Sequence, residues 1–222
     1  MLFRDRAHAG KLLAAQLASF ADRADVVVLG LPRGGVPVAF EVARALRAPL
    51  DVIVARKLGL PGQPEFAMGA IAGDVVILNQ DVVEALDLDA GDIAAIARRE
   101  SSELARRARA YTVRSPQELQ GRSVIVVDDG LATGNTMRAA VAAIRKLQPA
   151  RIVVAVPVAA ASTCDRLRTE ADDVVCLRTP APFRSVGQWY LDFRQVSDDE
   201  VRALLARPTS PEPEAHEPSH PL

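Results

Sequence analysis

Four β-branched residues, Val124-Ile125-Val126-Val127, run directly into two acids, Asp128-Asp129. A small-residue segment follows, Gly130-Leu131-Ala132-Thr133-Gly134-Asn135-Thr136, and then Met137 to Leu147 has helical periodicity. The order is strand, acidic turn, hydroxyl-bearing loop, helix. The first amides of a helix have no partner within it and carry partial positive charge, so such a loop can hold a phosphate. Gly134 permits close approach of backbone, and the Thr133 and Thr136 hydroxyls add donors. Asp128 and Asp129, at the carboxyl end of the strand, supply acceptors suited to sugar hydroxyls. An ordinary polar turn needs less than two adjacent acids and two threonines around a glycine.

This stretch closely resembles the binding loop for 5-phosphoribosyl-1-diphosphate (PRPP) of the type I phosphoribosyltransferases. The resemblance implies that Asp128 and Asp129 grip the ribose 2′ and 3′ hydroxyls, and that Ala132, Thr133, Gly134, Asn135 and Thr136 wrap the 5′-phosphate. It also implies Mg²⁺ as cofactor, carried on the diphosphate and ribose oxygens with Asp128 or Asp129 nearby. No dedicated metal cage is legible: the three histidines are scattered and the two cysteines lack ligand spacing.

Two further loops follow strand ends, where ligands bind in open α/β sheets. Leu31-Pro32-Arg33-Gly34 is similar to the pyrophosphate loop of the same family, and Arg33 matches an arginine of its adenine-specific members. A cis peptide is much cheaper before proline than elsewhere, so Leu31–Pro32 is the expected cis bond. The segment Arg56 to Phe66, rich in Gly and Pro, reads as a mobile loop that closes over the reaction. Within it, the resemblance makes Arg56 and Lys57 stabilisers of the leaving diphosphate and Glu65 the handler of the base proton; a solvated loop carboxylate is the plainer reading of Glu65. Ala132 stands where 6-oxopurine enzymes commonly carry Asp, which argues against that mechanism. Four of the nine aromatics lie within 183–193. Phe183 is the base-stacking candidate, whereas Trp189 and Tyr190 are read as packing residues.

The elements that must position these groups alternate. Helical patterns at 4–20, 36–46, 92–110, 134–147 and about 162–170 separate apolar runs at 26–29, 50–55, 124–127, 152–157 and 174–177. Ala67 to Ala72 and Val75 to Asn79 form a hairpin signal around Gly73-Asp74, and Ser197-Asp198-Asp199-Glu200 has capping-box spacing for a last helix. The expected fold is α/β: a central parallel sheet flanked by helices, with a small hood and a flexible hairpin loop. Residues 1–207 are expected as one domain, its hood drawn from the N-terminal helix and about 178–207, and residues 208–222 as a disordered Pro-rich tail.

The 222 residues carry a net charge of −1, with 27 basic and 28 acidic side chains. That balance gives no reason to invoke nucleic acid. No apolar run spans a membrane, the first ten residues lack the core of a signal peptide, and the cysteines read as reduced thiols, so a cytoplasmic location is expected. The implied reaction is Mg²⁺-dependent transfer of a phosphoribosyl group from PRPP to a nitrogen acceptor, in the first place a nucleobase, with pyrophosphate released. The alternative is a non-catalytic sensor of PRPP or a nucleotide on the same fold. A homodimer is the family-level assembly; acceptor identity and the role of the 80–112 insertion stay open.

Overall fold

The computed structural model describes residues 2–60, 63–73, 75–86, 89–111 and 116–209, with backbone alone at 63–67, 81, 107–110 and 116–117. A parallel five-stranded sheet forms its centre. Its strands are β1 (Val26–Gly30), β2 (Leu50–Val52), β6 (Ser123–Val127), β7 (Arg151–Val158) and β8 (Asp173–Arg178), in the order β2-β1-β6-β7-β8. Every residue of β1 and β6 is buried, as expected for strands covered on both faces, and that is why they read as continuous apolar runs without alternation.

The pleat sends neighbouring side chains to opposite sides. Val26, Val28, Ile125, Val127 and Val153 meet Leu13 and Leu17 from the N-terminal segment and Val38 and Val42 from α2 (Gly35–Leu46). Leu13 belongs to α1 (Arg6–Gln16), which starts at Asp5, whose carboxylate accepts the His8 amide at 2.7 Å. On the other face Val27, Leu29, Val124, Val126 and Val154 meet Met137, Val141 and Ile144 of α5 (Asn135–Arg145), and Cys164 and Leu167 of α6 (Ala161–Leu167). α1 thus spends its apolar face on the sheet, and only its first turn reaches the strand ends.

A second, antiparallel sheet comprises β3 (Ala55–Leu60), β4 (Gln63–Ala72) and β5 (Val75–Leu78). Here the structure corrects the expectation of a mobile loop over 56–66. Residues 55–60 pair with β4, Arg56 opposite Ile71 and Lys57 opposite Ala70. Leu58 of β3 is fully buried with Met68 and Ile71, so hydrophobic burial overrides the Gly and Pro content of the segment. Ala70 and Ala72 lie against Ala139 and Ala143, small residues that let β4 sit closely on α5. The expected strand over 50–55 is likewise divided, since β2 ends at Val52.

After α3 (Gln80–Ala85), the long helix α4 (Ala90–Ala110) lays Ile93, Ile96 and Leu104 on this second sheet. The last helix, α7 (Asp198–Leu205), carries the capping box: the Glu200 amide donates to Ser197 Oγ at 3.1 Å and the Ser197 amide to Glu200 Oε2 at 2.9 Å. The tail expected to be disordered lies, from residue 210 on, outside the described residues.

Candidate functional site

The loop after β6 is tied down on both sides. The Leu131 amide donates to Val158 O at 2.9 Å and Leu131 O accepts from the Ala160 amide at 3.2 Å, which extends the sheet by one bridge. Thr163 Oγ1 donates to Ala132 O at 2.5 Å. Gly134 has φ +74°, and a Cβ there would stand 2.6 Å from Thr163 Cγ2, so glycine is required both by conformation and by space. The helix starts immediately afterwards, leaving its first amides unpaired. The result is a cavity of about 220 Å³ lined by Lys57, Asp128, Ala132, Thr133, Gly134, Asn135, Thr136 and Val186. Six of the loop and acid positions picked from the sequence therefore share one cavity with one of the two predicted cations.

The two acids have different surroundings. Asp128 lines the cavity, and its Oδ1 accepts the Asp129 amide at 2.8 Å. Burial and the neighbouring Asp129 charge hold its carboxyl well above the usual carboxylate range, against the opposing pull of that amide, Arg6 and Lys57. Asp129 turns toward α1, where its Oδ2 accepts from Arg6 Nε at 2.8 Å. Arg6 also donates through Nη1 to Arg194 O at 2.8 Å and stacks over the Phe193 ring at 4.0 Å. Burial still pushes the Asp129 carboxyl up, because the Arg6 charge and hydrogen bond offset it only in part. The Tyr190 hydroxyl donates to Asp129 O at 2.6 Å, and Tyr190 itself forms a bridge with Phe3.

The candidate pyrophosphate loop lies against this turn. The Leu31 amide donates to Val127 O and the Gly35 amide to Leu31 O, each at 2.9 Å. A Cβ at Gly34 would fall 2.0 Å from Asp129 Oδ2, and one at Gly35 2.7 Å from Val127 O. The cis peptide is Pro32–Arg33, not the expected Leu31–Pro32. The buried Leu31, bonded to β6, continues the line of β1, and the reversal falls one bond later than the local preference of proline suggests. Arg33 Nη1 stands 3.9 Å from Asp198 Oδ1 at the start of α7.

Arg56 departs from its expected place. Its Nε lies 2.9 Å from Glu100 Oε2 and its Nη1 3.2 Å from Glu103 Oε1, both on α4. Glu65 lies on β4, and its side chain falls outside the described residues. Phe183 is half-buried against the Phe3, Val158 and Tyr190 cluster, while Val186 of the same segment lines the cavity. Arg6 and Thr163 escaped the sequence reading, while Tyr190, read as a packing residue, does pack with Phe3 but also bonds the acidic turn. Tyr190 carried a signal, as one of four aromatics crowded into 183–193, whereas a lone arginine in an arginine-rich chain carried none.

Among the described residues no group of three or more His, Cys, Asp or Glu could hold a metal ion, and no helix is long and apolar enough to cross a membrane. A single buried carboxylate beside a phosphate cradle nevertheless fits Mg²⁺, which takes one or two protein carboxylates and completes its shell with water and substrate oxygens.

The family model described as phosphoribosyl transferase domain matches residues 5–193. Proteins of Mycobacterium tuberculosis strains H37Rv and CDC 1551 / Oshkosh, provisionally named phosphoribosyl transferases, are 52% identical over 208 residues, covering 93% of this chain and 47% of theirs. The chain thus spans about half the length of these relatives. The crystal structure of TT1426 from Thermus thermophilus is 45% identical, with a TM-score of 0.76, covering 92% of this chain and 98% of that one.

Proposed function

The chain belongs to the phosphoribosyl transferase domain family, and from that premise we propose that it transfers the 5-phosphoribosyl group of PRPP to a nitrogen acceptor of the nucleobase class, with Mg²⁺ and release of pyrophosphate. The observation that carries this reading is the cavity in which Asp128, Lys57 and the 132–136 loop converge. A 5′-phosphate seated on the Thr133 to Thr136 amides and hydroxyls would set the ribose hydroxyls toward Asp128. The nitrogen lone pair attacks C1, the bond from C1 to the diphosphate oxygen breaks, and its electron pair leaves with pyrophosphate; the acceptor's N–H proton passes to a base or to water. Lys57 and the Arg33 and Gly34 amides would meet the growing negative charge of the leaving group. Mg²⁺, when bound, neutralises charge on the diphosphate. Holding the reactants in line supplies the rest of the acceleration. A cytoplasmic location and a homodimer belong to the same proposal.

A second reading, a PRPP or nucleotide sensor without turnover, draws support from the ionic partners of three charges. Asp129 is held by Arg6, Arg56 by Glu100 and Glu103, and Arg33 lies near Asp198. Pyrophosphate release from Mg-PRPP, followed across a panel of purine and pyrimidine bases, decides between them. Release with at least one base, lost in Asp128→Asn, supports the transferase. Saturable PRPP binding with no release for any base supports the sensor.

A further inference from the structure

Behind the phosphate loop lies a second cavity of about 230 Å³, lined by Leu78, Asn79, Gln80, Asn135, Arg138 and Arg166. It is built where the end of β5 and the start of α3 face the first turn of α5 and the last turn of α6. Apart from Leu78, every described group on its wall is polar or cationic, and no carboxylate is among the described residues that line it.

Three features set the chemistry. Arg138 is oriented by Glu170, which accepts its Nε at 2.6 Å, and the remaining guanidinium nitrogens stay available to the cavity. Arg166 has no ion-pair partner among the described residues, so the Arg138, Glu170 and Arg166 group keeps a net positive charge. Asn135 is only 6% exposed, yet its carboxamide makes no hydrogen bond among the described residues. Asn135 lines both this cavity and that of the 132–136 loop, so its carboxamide is open to a ligand at either. Two guanidinium groups, one of them held at its Nε by Glu170, and neutral amides form a recognition surface for an oxyanion, since planar forked donors match phosphate oxygens.

From this we infer that the cavity between β5–α3 and α5–α6 is an anion site for a phosphate group, separate from the 132–136 loop and touching it only through Asn135. The shared chemistry is a tetrahedral phosphate, whether free or esterified. The inference stands on the Arg138, Arg166 and Asn135 arrangement and holds whether or not the chain turns over PRPP.

The test is a titration of the full ¹⁵N-labelled chain with inorganic phosphate, with chloride at matched ionic strength as control, read at the Arg138 and Arg166 Nε–H resonances. A saturable shift given by phosphate and not by chloride is expected. In Arg166→Gln the midpoint read at Arg138 should weaken by roughly tenfold, as loss of one charge-assisted contact implies. The midpoint read at the Thr133 and Gly134 amides should stay within about twofold, because Arg166 does not line that cavity. Methyl phosphate binding more tightly than inorganic phosphate assigns the site to a phosphorylated metabolite, and the reverse order to free phosphate; both support the site. Non-saturating shifts equal to those of chloride overturn it. So does an Arg166→Gln protein, folded by its amide spectrum, whose Arg138 midpoint is unchanged. Failure of PRPP turnover alongside a normal Arg138 titration would touch only the transferase reading.

Discussion

At Asp128 the free protein and the bound ligand want different protonation states. Its native carboxyl titrates well above the unfolded value because burial and Asp129 disfavour the charge. The native state therefore holds a proton that the unfolded chain releases first. The resulting stabilisation is full below the unfolded carboxylate pKa of about 3.9 and is lost as pH rises through the raised native value. Ribose hydroxyls and Mg²⁺ favour the ionised form. PRPP affinity, measured by calorimetry with Mg²⁺, should accordingly strengthen as pH rises through that native value. Asp128→Asn should flatten this pH dependence, weaken PRPP binding by roughly ten- to hundredfold, and raise the urea midpoint at pH 7. Binding and stability moving in opposite directions is the expected mark of a group retained for function; an Asn variant that binds normally and is no more stable would contradict the assignment.

At the scale of elements, β3 sends two adjacent cations to different places. In a strand, successive side chains point to opposite faces. Lys57 lines the cavity of the 132–136 loop, and Arg56 turns to Glu100 and Glu103 on α4. Under the transferase proposal, Lys57→Gln should lower pyrophosphate release by about a hundredfold, the scale of losing one electrostatic stabiliser. Arg56→Gln should instead leave turnover within a few-fold and cost about 1–3 kcal/mol in urea unfolding, since it strands two partly buried carboxylates. The reverse ranking would show that the hairpin rearranges on binding. This division was not legible in the sequence. Gly59, Pro61 and Gly62 suggested a loop, in which Arg56 and Lys57 could act together; the pairing that makes a strand depends on Leu58 burying against Met68 and Ile71, contacts invisible to local composition. By contrast the central strands and the 128–136 loop were legible. Continuous apolar runs identify parallel strands buried on both faces, and the 128–136 loop is a local structure whose amides, hydroxyls and glycine lie within a few residues. The Asp129–Arg6 pair spans 123 positions, and no spacing rule reaches that far.

That long-range pair ties the whole molecule together. Arg6, in the first turn of α1, joins the acidic turn after β6 to the returning C-terminal segment through Asp129 and Arg194 O, while Phe3 and Tyr190 form a bridge beside it. The N-terminal segment and the 190–194 segment thus meet over the strand ends and fix the turn that presents Asp128. The Arg6 and Asp129 side chains are 11% and 14% exposed, so screening by solvent is modest. Arg6→Ala leaves Asp129 buried without its cation, a change that typically costs about 3–5 kcal/mol. The native Asp129 carboxyl, already raised by burial, would rise further without Arg6. Below that raised value the carboxyl is protonated and the missing cation matters less, so the Arg6→Ala deficit should be largest at pH 7 and shrink toward pH 5. Asp129→Asn in the same chain should restore most of the loss at pH 7, since it removes the stranded charge. Urea unfolding of the single and double variants at both pH values checks this. A deficit independent of pH, or one that Asp129→Asn does not relieve, would mean that Arg6 acts by packing on Phe193 and by its bond to Arg194 O, and not through the Asp129 charge.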